Sequence, residues 1–465
     1  MNMINVRRLA AMTFLGAGML SDISAQDFSL QADTLNEARL PAQWDLQSCI
    51  DYALEQNITI RKNRVTAEST QIDVKTAKAA LFPSLSFSTS QQVVNRPYQE
   101  TSSRVSGSEI ISSNSKTSYN GNYGLNASWT IYNGSKRLKT LKQERLNNQV
   151  AELDIATSEN TIKESIAQIY IQILYAAESV RVNENTLQVS IAQRDRGQEL
   201  LNAGSIAKSD FAQLEAQVST DRYQLVTAQA TLQDYKLQLK QLLELDGENE
   251  MNVYLPNLSD ENVLAPLPAK KDVYVSALAI RPEIEASKLN VDASELGIDI
   301  AKSSYFPTIS LSAGIGTNHT SGSDFTFGEQ VKNGWNNSIG LSVSVPIFNN
   351  RQTKSAVQKA RLQRETNMLS LLDEQKALYK TIESLWLDAN SAQQRYAAAN
   401  EKLRSTQISY DLISEQFNLG MKNTVELLTE KNNLLQAQQE QLQAKYMAIL
   451  NTQLLKFYQG DKLTL

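Results

Sequence analysis

One cysteine and one histidine in 465 residues set the first limits on this chain. A lone thiol cannot close an internal disulfide, and Cys49 sits in a helical stretch where packing is its role. A lone imidazole makes neither a triad nor a metal site, and His319 stands in a serine- and glycine-rich stretch that reads as an exposed loop. Carboxylates abound, but on charged helix faces, with no pairing that singles any out for acid–base work. Gly314-Ile315-Gly316 has no helix after it and so is no nucleotide loop. The reading is a non-enzyme with no catalytic residues, no metal ligands and no cofactor. A run of about 18 apolar residues, the length of a membrane-spanning helix, is also missing. So is a basic stripe: 45 lysines and arginines face 50 acids, a net charge of −5, which leaves nucleic acid out as a partner.

Glycine and proline are absent where their absence matters most. Residues 352–419 contain neither, and 138–203 contain only Gly197. Uninterrupted helices of that length would run about 100 Å, longer than a globular domain, so they read as coiled coil. Each stops at a glycine, Gly204 or Gly420, 216 residues apart, and a shorter helix follows at about 205–245 and 421–458. Seven-residue spacing is explicit there, in Phe211, Val218, Leu225, Leu232 and Leu239, and again in Leu428, Leu435, Leu442 and Ile449.

Residues 1–25 read as a secretory leader: Arg7 and Arg8, an apolar Leu9–Leu20, then Ile23-Ser24-Ala25 at a plausible cleavage site. No cysteine lies at that site, so a lipid-anchored product is not expected. Residues 26–42 read as an extended polar tail.

The chain then says one thing twice. Ala77-Lys78-Ala79-Ala80-Leu81-Phe82-Pro83-Ser84-Leu85-Ser86-Phe87-Ser88 returns 224 residues later as Ala301-Lys302-Ser303-Ser304-Tyr305-Phe306-Pro307-Thr308-Ile309-Ser310-Leu311-Ser312, identical at six of twelve positions. Before each Phe-Pro the residues are helical, the first helix running from about Asp45 to Leu81; after it, apolar and small polar residues alternate as in a strand. Return strands follow, with Tyr123, Leu125, Ala127, Trp129 and Ile131 in one and Ile339, Leu341, Val343, Val345 and Ile347 in the other. Between the first two strands, roughly 95–119, lies a serine-rich stretch without apolar periodicity, read as a solvated loop. The organisation is therefore a first repeat at 26–245 with a β-hairpin at 83–133 and its tip at 204, a linker at 246–270 carrying Pro256, Pro266 and Pro268, and a second repeat at 271–465 with a β-hairpin at 307–348 and its tip at 420.

Four strands of roughly nine to eleven residues, apolar on one face and Ser/Thr/Asn/Gly on the other, suit a bilayer-spanning barrel with a wet interior. A soluble sheet packed on the long helices is the other reading of that alternation. In lipid a four-stranded sheet cannot stand with open edges, so several chains would close one barrel: eight strands for a dimer, twelve for a trimer, only the larger leaving a generous lumen.

The doubled order of helix, Phe-Pro, strand hairpin, long helix, glycine turn and helix resembles the TolC family of outer-membrane efflux and secretion channels. The resemblance implies an α+β membrane protein and an internal duplication. It implies a homotrimer with a 12-stranded outer-membrane β-barrel, four strands per chain, continued by a long periplasmic α-helical coiled-coil barrel. It implies an exit duct in the outer membrane of a Gram-negative bacterium, in contact with outer-membrane lipid and working in efflux or type I secretion. Drugs, toxic compounds or secreted polypeptide would pass from an inner-membrane pump of the RND or ABC type through a periplasmic adaptor. Phe82, Pro83, Phe306 and Pro307 become helix-to-strand pivots, and Leu201, Ala203, Gly204, Ser205, Phe417, Leu419, Gly420 and Met421 the tip and adaptor contacts. Asp210, Lys422 and Glu426 become the periplasmic gate, with an ion pair between Asp210 and Lys422. Lysine stands at 422 where the family's best-known members carry arginine, phenylalanine at 417 where a tyrosine is usual, and Thr429 where a second pore acid is expected. The gate charges also read as ordinary solvated helix residues. A pore-free periplasmic coiled-coil scaffold is the alternative from another class.

Overall fold

The computed structural model describes residues 41–98, 102–106, 109–113, 116–245, 251–256, 263–321, 323 and 325–464. The leader expected at 1–25, most of the polar tail and parts of the linker lie outside them. The chain divides into a small unit, Met1–Trp44 with Asn252–Tyr254, and a large one holding the rest. In the small unit Trp44 and Val253 form a parallel bridge: Trp44 N–H donates to Asn252 O and Tyr254 N–H to Trp44 O, both at 2.8 Å.

The large unit runs α1 (Leu46–Gln56), α2 (Ile58–Ala79), β1 (Ser84–Asn95), β2 (Ser102–Ser106), β3 (Glu109–Ser113), β4 (Thr117–Asn133), α3 (Lys136–Asn202) and α4 (Lys208–Leu242). It continues with α5 (Lys270–Ile280), α6 (Pro282–Ser303), β5 (Thr308–Thr320), α7 (Phe327–Asn333), β6 (Asn336–Ser344), α8 (Gln352–Asn418) and α9 (Thr424–Gln459). The long helices α3 and α8 have 67 residues each, as the missing glycines and prolines require. They are the spines of the fold. Along α3 pack α2, α4, α6 and α9; along α8 pack α6 and α9.

The single helix expected from Asp45 to Leu81 is two. Asn57 leaves the helical region (φ −59°, ψ 126°), and its side chain accepts from Thr59 N–H at 2.9 Å and donates to Leu242 O at 3.1 Å. It thus caps α2 and ties down the end of α4. The matching residue, Arg281, breaks the second copy with the same backbone geometry, and Pro282 starts α6 at the position where a missing N–H costs nothing. Arg281 is buried, bonded to Glu164 at 2.7 Å and set 3.6 Å from the Tyr458 ring centroid. Burial first, then the nearby Glu164 charge, pushes the Tyr458 phenol up to about 12. Leu378, Ile382, Leu455 and Tyr458 join Val273 and Ile284 in a core beside this break.

Further corrections concern the hairpins. The stretch at 95–119 holds a second small hairpin, with β2 antiparallel to β3 (Val105 opposite Ile110), so serine richness does not keep it from pairing. The other hairpin's connection carries α7, opened by a capping box in which Glu329 N–H donates to Thr326 Oγ1 and Thr326 N–H to Glu329 Oε2. The strands of the main sheet have 12, 17, 13 and 9 residues in β1, β4, β5 and β6, not a uniform nine to eleven. Their order is β1-β4-β5-β6, antiparallel throughout, with a register shift between Thr130 and Tyr132. His319 lies on β5 rather than in a loop, its ring centroid 5.2 Å from Tyr119 and 5.0 Å from Phe327. Gly121 opposite it leaves room for that ring: an added Cβ would stand 2.3 Å from His319 Cε1.

Candidate functional site: the two-faced sheet and the helix tips

The register sorts the sheet into two unlike faces. One row reads Ser86, Asn126, Gly314, Ser338, and the next on that face Ser84, Ser128, Ser312, Gly340. Between them, on the opposite face, run Leu85, Ala127, Ala313, Ile339 and then Trp129, Leu311, Leu341. The apolar face is bare. Leu85, Phe87, Ile339, Leu341 and Val343 are all more than half exposed, Ile339 at 81%. Each such side chain is worth about 1.5–3 kcal/mol when removed from water, so a face of them belongs against something apolar. The polar face carries hydroxyls, amides and bare backbone, a surface water can wet. Among the described residues, both outer strands, β1 and β6, keep an unpaired edge within the chain.

Each strand meets its helix through a pivot. Phe82 N–H donates to Ala79 O at 3.0 Å and Phe306 N–H to Ser303 O at 3.1 Å, so both helices end in a tight turn immediately before Pro83 and Pro307. Phe82 and Phe306 are exposed. The returning strands turn back through consecutive left-handed residues, Gly134 and Ser135 in one half, Asn350 and Arg351 in the other. These return pivots escaped the sequence reading, because three of the four residues carry a side chain that disfavours that conformation. In the first of them Ser303 Oγ donates to Gly134 O at 2.9 Å, locking α6 to the β4–α3 turn.

At the other end, α3 and α8 stop in matching turns. Gly204 N–H donates to Leu201 O at 2.9 Å and Ser205 N–H to Leu200 O at 2.8 Å; Gly420 N–H donates to Phe417 O at 2.9 Å and Met421 N–H to Gln416 O at 2.8 Å. With φ of +71° and +74° at the glycines these are Schellman closures. The expected gate residues fall at the start of the following helices. Asp210 Oδ2 accepts from Ala207 N–H at 3.2 Å, and Glu426 Oε2 from Asn423 N–H at 3.4 Å, while Asn423 Oδ1 accepts from Glu426 N–H at 2.9 Å. Lys422 pairs with Glu426 at 3.0 Å in its own turn. That contact first, then the Asn423 N–H, holds the Glu426 carboxyl below its ordinary value. Within one chain, then, Asp210 is occupied by its own helix start and Lys422 by Glu426. Of the tip residues, Ala203, Gly204, Ser205, Leu419, Gly420 and Met421 are exposed, Leu201 is half-buried, and Phe417 is 2% exposed, packed with Leu214 and Leu427 inside the tip. Phe417 is tip core.

The family profile described as outer membrane efflux protein matches residues 49–244 and 273–460, nearly every element of both halves. The chain belongs to the outer membrane efflux protein family. It is 25% identical to the outer membrane efflux protein BepC of Brucella suis over 294 residues, 63% of this chain and 61% of BepC. It is 24% identical to outer membrane protein TolC of Escherichia coli over 341 residues, 70% of this chain and 66% of TolC. The matches thus span just under two thirds of each relative. The crystal structure of CusC, a transmembrane channel, superposes with a TM-score of 0.76 at 19% identity, covering 90% of this chain and 92% of CusC, which shows the shared fold.

Above the tips this member of the efflux family holds a buried charge cluster that the sequence reading passed over. Lys431 on α9 donates to Asp221 Oδ2 on α4 and to Ser190 Oγ on α3; the Ser190 hydroxyl also donates to Asp221, and Gln217 Nε2 donates to Asp221 Oδ1 at 2.9 Å. Lys431 and Asp221 are each 3% exposed. Burial pulls the Lys431 ammonium below the ordinary lysine range, against the opposing hold of the Asp221 carboxylate. The cluster joins the α3–α4 pair to the α8–α9 pair, as do Gln193 with Tyr410 at 2.8 Å and Arg196 with Asn418 O at 3.3 Å. A signal existed: Asp221 stands on the Leu214, Val218, Leu225 stripe, a polar residue in a row of apolar ones.

Proposed function

We propose that the chain is one subunit of an outer-membrane exit duct, passing substrates from an inner-membrane pump through a periplasmic adaptor to the outside. The observation that carries this reading is the sheet: one bare apolar face, one wettable face and two open edges, fused to helices of 67 residues. In lipid each open edge must find another chain. Three copies would close twelve strands around a lumen lined by the serine and asparagine rows, whereas two copies would close eight, which side chains fill. The helices support closure too. Ile58, Val65 and Ile72 form an exposed seven-residue stripe on α2, and Leu362 and Leu369 one on α8, as facing edges of neighbouring subunits would require.

The two halves share helices of 11, 22 and 67 residues in the same order, separated by a strand hairpin whose connection differs, which supports an internal duplication. A periplasmic adaptor would dock at Ala203, Gly204, Ser205, Leu419, Gly420 and Met421; the RND or ABC pump lies beyond it. The conduction itself is passive and involves no catalysis. At the tip, three copies of Glu426 and Asp210 would ring the narrowest passage, and the Asp210–Lys422 pair of the gate would form between subunits, in place of the Lys422–Glu426 pair of the single chain.

Planar-bilayer conductance of the purified protein beside its Asp210→Ala/Lys422→Ala variant tests this. Small currents that grow in the variant are expected. Large currents in both keep the duct and remove the gate. Silence in both, with insertion shown by protease protection, leaves a pore-free scaffold and ends the duct reading.

A further inference from the structure

The two strand-to-helix junctions on the apolar side of the sheet are built alike but filled differently. In the first half Trp129 Nε1 donates to Leu81 O at 2.8 Å, and Arg137 donates to Thr130 O and to Phe82 O, the latter at 3.5 Å. The indole and the guanidinium close the space between the end of α2 and the start of α3. At the matching positions of the second half, 216 residues on, stand the smaller Val345 and Thr353. Thr353 is buried and accepts from Asn349 Nδ2. Among the residues that flank this pair in sequence lies a groove of about 320 Å³ between the ends of α6, β6 and α8, lined by Ser304, Tyr305, Pro346, Phe348, Arg351 and Lys354 among others.

Three features of this groove point to one occupant. It continues the bare apolar face of β6 through Val343 and Val345, both 58% exposed, onto Phe348, 83% exposed. It lies where strands give way to helices, the level at which aromatic side chains meet a bilayer surface. Its charged lining is cationic only: Arg351 and Lys354 are exposed, and no acid lines it. An apolar wall below and two cations above match an acyl chain and a phosphodiester. We infer that this groove holds an anionic phospholipid of the periplasmic leaflet, its phosphate between Arg351 and Lys354. The inference rests on the outer-membrane reading above, because it takes the apolar face to be the lipid-facing one.

The test is lipid retention. The purified full chain, passed through mixed micelles of phosphatidylglycerol and phosphatidylcholine, would be examined by native mass spectrometry. Arg351→Gln/Lys354→Gln removes the cations; Ser304→Trp fills the groove from its own lining. The native protein should retain phosphatidylglycerol over phosphatidylcholine, and both variants should lose that preference while conducting as before. A basic residue near an anionic lipid surface is worth about five-fold, so losing two should lower affinity roughly 25-fold. Equal retention by native protein and variants overturns the inference, as does loss of the oligomer in Ser304→Trp, which would make the groove a contact between subunits. A native protein that conducts but prefers neither lipid overturns it while leaving the duct intact. One that never inserts overturns both.

Discussion

Lys431 occupies a place where the helix repeat asks for an apolar residue, since Leu427 and Leu434 on either side of it are core. Its ammonium is kept there by Asp221 and Ser190, and the arrangement holds only while all three are present. Lys431→Ala should therefore destabilise the protein by about 3–5 kcal/mol, because it strands a carboxylate in the interior. Lys431→Met with Asp221→Leu should restore most of that, since an apolar pair of similar volume often serves as well as a buried ion pair. Thermal unfolding of the two variants, followed by circular dichroism, reads the difference; equal losses would show that the charges are not coupled. A second residue-scale outcome concerns pH. The Glu426 carboxyl lies below its ordinary value of 4.5 in the folded tip, so its cap and its Lys422 contact contribute fully above pH 4.5 and fade as pH falls through the lower, folded value. Thermal stability should therefore fall on acidification below pH 4.5 in the native protein and fall less in Glu426→Gln, as melting temperatures across that range would read. At this scale the sequence was half legible. Asp210 and Glu426 were singled out by position as gate charges, whereas the role the single chain displays for them is capping, which follows from backbone N–H groups that no pattern of side chains displays, and the Lys431 cluster joins residues from three separate helices.

Elements were more legible, because their causes are local. Long runs without glycine or proline became α3 and α8, and strict alternation became β1, β4, β5 and β6. The errors came where something non-local intervened. Asn57 breaks a helix by bonding to Leu242, far along the chain, and the β2–β3 hairpin forms in a stretch whose composition reads as loop. The glycines separate the two kinds of cause. Gly204 and Gly420 have positive φ but nothing within 4 Å of an added Cβ, so alanine there should cost only the backbone strain, about 1–2 kcal/mol. Gly134 has φ +66° as well, yet an added Cβ would stand 2.7 Å from Ser303 O and 2.9 Å from Phe306 Cβ. Gly134→Ala should add about 1–3 kcal/mol of overpacking to the same strain. Melting temperatures should fall further for Gly134→Ala than for Gly204→Ala or Gly420→Ala. Similar falls at all three would mean that the α6–β4 junction yields easily.

The whole molecule repeats one helix contact within the chain and leaves its counterpart open. Inside the chain α3 packs on α6, where Gln143 Nε2 donates to Ala293 O at 2.9 Å. The element that matches α3 is α8, and the one that matches α6 is α2, so in the closed assembly proposed above the equivalent contact would be made by α8 of one chain with α2 of the next. Shifting each residue by its own repeat offset, 216 forward for Gln143 and 224 back for Ala293, gives Lys359 and Ser69, both exposed in the single chain. The apolar stripes on α2 and α8 that stand exposed run along these same two helices. Lys359→Cys with Ser69→Cys should then cross-link neighbours on oxidation, in a background where the native thiol is buried and out of reach. On a non-reducing gel the product should be a ladder of two and three chains that stops at three, because the third link closes the ring. A ladder that stops at two would give an eight-stranded barrel with no lumen, and one that continues past three would give an open array. Cross-linking by neither variant alone but only by the pair separates a specific contact from collision. Closure at three is the outcome that turns two open sheet edges and two bare helix stripes into one wall.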